Sequence, residues 1–134
     1  MKLIVCIAKN KGMTFFGKRV SKDSVLREKI LELSHGHRLL MNSYSAKQFE
    51  DISALTVDEN FLNIANDDDF CFIENMNADV NSVNEIYLFS WNRDYPADFF
   101  FDIDPKSSGF KRVSSQDFKG LSHEKITLDI YEKI

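Results

Sequence analysis

The run Ile86-Tyr87-Leu88-Phe89-Ser90-Trp91 constrains this chain more than any other stretch. Six consecutive residues, nearly all aliphatic or aromatic, leave no polar face, so the segment reads as a strand covered on both sides. Such a strand sits inside a sheet, with further elements packed above and below. Asp94-Tyr95-Pro96 supplies a turn after it, and Ala97 to Asp102 follows as a second extended run. Phe99, Phe100 and Phe101 cannot all point to one side of an extended chain. At least one of these rings is expected to be exposed, or covered by another element or chain.

Other runs repeat the buried-strand signature: Leu3 to Ala8, Arg38 to Met41, Ala54 to Val57 and Phe70 to Ile73. Between the first two, Val25, Leu26, Ile30 and Leu33 recur near the helical period. Ser21 is the expected cap of that helix, and Gly36 is suited to the left-handed residue after its last turn. Met13 to Val20 reads as a loop. Ser45 and Gln48 fit a capping box for a short helix reaching about Ile52. Asp58 to Asn66 is open between helix and coil, and Asp79 to Val83 fits one or two helical turns. The end changes character. Ile126, Leu128, Ile130, Glu132 and Ile134 alternate with Lys125, Thr127, Asp129, Tyr131 and Lys133, the pattern of an antiparallel strand with one wet face. Lys111 to Phe118 is its hairpin partner.

The order β-α-β-α-β followed by three strands predicts an α/β fold. It is a single domain over residues 1–134, with a central, mostly parallel mixed sheet, flanking helices and a C-terminal antiparallel hairpin. With 43% hydrophobic residues and twelve Phe, the chain can bury one core unaided. A net charge of -4 disfavours a nucleic-acid-binding face and makes a basic partner electrostatically easier. Cys6 and Cys71 lie in apolar runs and read as buried thiols. The apolar start is too short for a signal peptide, and no run approaches the ~20 apolar residues of a membrane span. A cytoplasmic protein without membrane contact is the expectation.

Candidate functional residues are few. His35 and His37 flank Gly36, and His123 lies far along the chain; all three read as solvated loop histidines, with no metal set. Asp67-Asp68-Asp69 lacks the glycine and terminal glutamate of a calcium loop. It is a charged turn, or an acidic patch docking a basic partner. Ser107-Ser108 and Ser114-Ser115 have neither a neighbouring base nor a glycine elbow, so they give no nucleophile.

Several stretches resemble dihydrofolate reductase. Ile4 to Met13 is similar to the family's first strand and the start of its mobile loop. Leu39-Leu40-Met41-Asn42-Ser43-Tyr44-Ser45 resembles the strand-to-helix turn that the family writes Met-Gly-Arg-x-Thr. Ile86 to Ser90 followed by Ala97 to Phe101 resembles a late strand and the Gly-Asp-x-x-Phe-Pro element. The resemblance implies that scaffold. It also implies a loss of the family's cofactor grip, since Asn42-Ser43 stands for Gly-Arg, Glu74-Asn75 for Gly-Gly and Met13-Thr14 for Ile-Gly. The segment between Ser45 and Ile73 is too short for the family's adenosine subdomain. Asp23 corresponds to the substrate-binding acid, in a cleft that Arg27 and Phe15 would line; capping of the helix N-terminus is its other reading. No cofactor, catalytic residue or metal ligand is therefore expected. The expected function is a non-catalytic protein-binding domain, an immunity protein that neutralises a bacterial toxin of the contact-dependent growth inhibition type. The partner would be a basic toxin domain docking at Asp67, Asp68 and Asp69. The alternatives are a divergent NADPH-dependent reductase, or a pterin-like small-molecule binder using the Asp23 cleft.

Overall fold

A computed structural model describes residues 1–134. Strand β1 (Lys2–Ile7) is followed by a hairpin, β2 (Gly12–Phe15) and β3 (Lys18–Arg19), and by helix α1 (Ser24–Leu33). Then come β4 (Leu39–Met41), α2 (Ser43–Ala46), β5 (Leu55–Val57), α3 (Phe61–Ile64), β6 (Phe70–Ile73), β7 (Glu85–Ser90), β8 (Phe99–Phe100), β9 (Phe110–Phe118) and β10 (Ile126–Lys133). Seven strands form one sheet in the order β5-β4-β6-β1-β7-β10-β9. The first five run parallel, and β10 and β9 close the sheet antiparallel. This is the mixed α/β architecture read from the sequence.

The central position of β1 and β7 follows from their side chains. Leu3, Val5, Ile7, Ile86 and Leu88 face one core; Ile4, Phe89 and Trp91 face the other. Each such side chain stabilises the fold by ~1.5–3 kcal/mol when taken out of water, so a strand buried on both faces gains about twice what an edge strand can. The second core is covered by α1 through Leu26 and Ile30. The first is covered mainly by short or irregular segments carrying Phe61, Ala78, Phe101, Ile103 and Phe110. The Phe trio divides as extended geometry requires. Phe101 is buried, Phe99 is half-buried and Phe100 is 42% exposed.

Several local expectations change. Met13 to Val20 is largely a hairpin, not a loop, and with β8 it forms a separate three-stranded sheet. Phe16 and Gly17 turn it with φ of 47° and 76°. This is the left-handed pair that a two-residue hairpin needs to match strand twist. Helix α1 is capped by Asp23 rather than Ser21, because the Asp23 carboxylate accepts from the Val25 N–H. The Ser45–Gln48 capping box does not form. Asn42 reaches the Ser45 N–H first and starts α2 one turn earlier, leaving the Ser45 hydroxyl and Gln48 amide nitrogen without partners. Asp58 to Asn66 contains the single turn α3. On β10 the wet face is only partly wet, since Tyr131 is buried against the first core, while Glu132 and Ile134 are exposed. Opposite, Ile130 pairs with Ser114 and Tyr131 with Arg112, so Val113 of β9 is the extra residue of a bulge.

Candidate functional site: the crevice at the strand ends

In an open α/β sheet, ligands bind outside the carboxyl ends of the parallel strands, where loops diverge. Here that edge is formed by the ends of β1, β4, β6 and β7, with the β2–β3 hairpin alongside. Glu74, the first residue after β6, is 8% exposed. Arg19 on β3 grips it with both nitrogens, Nε to Oε2 at 2.8 Å and Nη2 to Oε1 at 3.1 Å. The guanidinium lies over the Tyr44 ring, 4.5 Å from its centroid. The Tyr44 hydroxyl accepts from the Arg19 N–H at 2.8 Å, so β3 is tied to α2. Burial alone would lower the Arg19 pKa, but the bond to Glu74 outweighs it and the pKa rises. Burial raises the nearby Cys6 thiol well above its usual value, and the Glu74 charge adds to that. This thiol is therefore not a ready nucleophile.

A second set of bonds closes the adjacent edge. Asn42 spans the ends of β4 and β6 through its Nδ2, which donates to Asn75 Oδ1 at 2.9 Å. The N-terminus of α2 is occupied as well. Ser43 N–H donates to the Glu59 carboxylate at 2.8 Å, and Ser45 N–H to Asn42 Oδ1 at 3.0 Å. Free helix N–H groups are what a phosphate would need. Of the positions that the sequence resemblance assigns to phosphate binding, Glu74 is itself a carboxylate, and the Ser43 N–H is taken by the carboxylate of Glu59. The residues present do not fit a dinucleotide.

The acid Asp23 is elsewhere and sealed. Its carboxylate accepts from the N–H groups of Val25, Leu121 and Ser122, each at 2.9 Å, from the Ser122 hydroxyl and from His123 Nδ1 at 2.9 Å. Gly120 passes so close that a Cβ there would lie 2.5 Å from Asp23 Oδ2. Burial by itself would raise the Asp23 carboxyl. The Leu121 and Ser122 N–H groups, with His123 and Val25, outweigh it and hold the group well below the usual carboxylate range. Arg27 lies instead along a shallow groove of about 270 Å³ between α1 and Phe49–Asp51. Phe15 lies on the hairpin, its ring tilted against that of Phe16 with centroids 4.2 Å apart. Asp23, Arg27 and Phe15 are not brought together into a cleft. Of the acidic turn, Asp67 and Asp68 are exposed, whereas Asp69 is buried against Arg38 and accepts the Asn66 N–H.

The histidines separate likewise. His35 and His37 are exposed, but His123 is 3% exposed and packs at a tilt against Trp91, ring centroids 4.6 Å apart. Its expected solvation is corrected, because a carboxylate 100 positions away holds it inside. Arg19, Tyr44 and Glu59 also carried no signal in the sequence; only Glu74, a lone acid ending an apolar run, could have been suspected.

No protein-family model matches the chain, and no curated protein does. Solved structures do. One is dihydrofolate reductase from Enterococcus faecalis, complexed with NADP(H) and RAB-propyl. It matches with a TM-score of 0.68 over 98% of this chain and 95% of that one, at 10% sequence identity. The fold class is therefore dihydrofolate-reductase-like. The likeness at this identity is one of fold.

Proposed function

We propose that this chain is a binding protein on a reductase-like scaffold, an immunity protein that neutralises a bacterial toxin in the cytoplasm by binding it. The observation that carries this reading is the crevice bridged by the chain's own side chains, Arg19 to Glu74 and Asn42 to Asn75, where an enzyme of this architecture would keep space. Interactions made within the free protein favour a pre-organised surface at the strand ends over a dinucleotide channel there. The exposed Asp67 and Asp68 suit a basic partner, for which opposite charge raises the association rate. Phe16, 79% exposed at the hairpin tip, suits an aromatic anchor. The partner is then a toxin domain, held by protein–protein contact.

Co-expression with the product of the neighbouring gene tests this. Relief of that product's toxicity and recovery of a stoichiometric complex are the expected outcomes. A chain that neither protects nor binds would end the proposal. Calorimetry with NADPH at millimolar concentration tests the reductase alternative, and no heat of binding is expected.

A further inference from the structure

Behind the helix cap, the same cluster continues to a hydroxyl. His123 Nε2 lies 2.9 Å from Ser21 Oγ, while Nδ1 lies 2.9 Å from Asp23 Oδ2. A carboxylate can only accept, so Nδ1 donates to Asp23, and Nε2 faces two hydroxyls, Ser21 Oγ at 2.9 Å and Tyr95 at 3.1 Å. With Tyr95 donating to Ser21 Oγ, Nε2 is the nitrogen placed to take the Ser21 proton. The base is held by Asp23 and packed against the Trp91 ring, and the acid is held by main-chain N–H groups. These are the two contacts required of a hydroxyl nucleophile, a base within reach and a third group fixing that base. Tyr95 adds a hydroxyl 3.2 Å from Ser21 Oγ. Unlike Asp23 and His123, Ser21 is only half-buried and lines a cavity of about 400 Å³ with Lys18, Arg19, Lys22 and Tyr44. Glu74 already neutralises Arg19, whereas Lys18 and Lys22 make no ion pair and give the mouth a positive charge.

We propose that Ser21, His123 and Asp23 form a nucleophilic site that cleaves small, negatively charged acyl esters entering between Lys18 and Lys22. Ser21 Oγ bonds to the acyl carbon as its proton passes to His123 Nε2. The ester C–O bond breaks, and the leaving alcohol takes that proton. Water then attacks the acyl-Ser21 ester, its proton returning through Nε2 to Ser21 Oγ, and the acid departs. The inference goes beyond partner binding and does not depend on it.

The folded chain treated with a fluorophosphonate reporter decides the matter by peptide mapping. An adduct on Ser21 is expected, formed about 10²-fold faster than at the exposed Ser43 or Ser107, the usual contribution of a positioned base. The S21A variant should lose it, and p-nitrophenyl hemisuccinate should be hydrolysed faster than p-nitrophenyl butyrate. The H123Q variant should label about 10²-fold more slowly; if it fails to fold, the wild-type site preference still decides. An unmodified Ser21, or labelling no faster than at Ser43, overturns the proposal and leaves the cluster as a clasp on the 120–123 loop.

Discussion

Glu74 and Asp23 are both buried carboxylates beside the hairpin and α1, yet they are held in different ways. Glu74 is held by one long side chain, Arg19, which reaches it from a two-residue strand and remains partly solvated. Asp23 is held by main-chain N–H groups, including those of Leu121 and Ser122, with a histidine. Main-chain donors cannot swing away, whereas an arginine can change rotamer. The first arrangement is a removable plug over the crevice, and the second fixes a loop to the start of a helix across some 98 positions of chain.

Asp23→Ala is therefore the more damaging change. It strips three N–H groups and a buried imidazole of their acceptor, for which ~3–5 kcal/mol of lost stability is expected in urea unfolding. A loss under 1 kcal/mol would mean that water replaces the carboxylate and the loop is not fixed. Acid should report the same group. Its folded pKa is depressed, so in the window between folded and unfolded values the unfolded chain binds more protons and stability rises with pH. The Asp23 contribution is complete above the unfolded carboxylate value of about 4 and is lost as pH falls toward the folded one. The D23N variant should therefore show a shallower loss of stability on acidification; parallel curves would refute the assignment.

The Arg19–Glu74 pair should couple less strongly. A double-mutant cycle with R19M and E74Q is expected to give ~1–3 kcal/mol. R19M alone should be worse than the double change, because it leaves Glu74 buried and unpaired. Coupling near zero would make the crevice open in solution and weaken the binding-protein reading. The smallest effect is expected at the hairpin tip. Phe16 holds φ of 47°, which asparagine tolerates better. F16N should therefore gain about 0.5–1 kcal/mol while weakening any complex that the ring anchors. Unchanged affinity would move the binding face elsewhere.

The central strands were legible because burial on both faces leaves an unbroken apolar run, as in Ile86 to Trp91 and Phe70 to Ile73. Helix α1 was legible from the spacing of Leu26 and Ile30, and Gly36 does take a left-handed φ of 83° just after it. The hairpin over Met13 to Val20 was not, since its turn uses a phenylalanine where glycine or asparagine would have signalled it. The cap positions are not legible for a related reason. Ser21 and Asp23, or Asn42 and Ser45, are equivalent as letters, and only the position of the arriving strand decides which one meets a free N–H group.

Pattern along the chain, then, determined the sheet, its buried middle and its antiparallel end, because solvent exclusion acts on every residue of a run and leaves its period in the letters. Which polar groups meet was decided by tertiary structure alone. Arg19 reaches Glu74, and His123 reaches Asp23, after folding brings together residues 55 and 100 positions apart. A hydrogen bond depends on a few ångströms of approach, and that approach is fixed by the packing of everything between its partners.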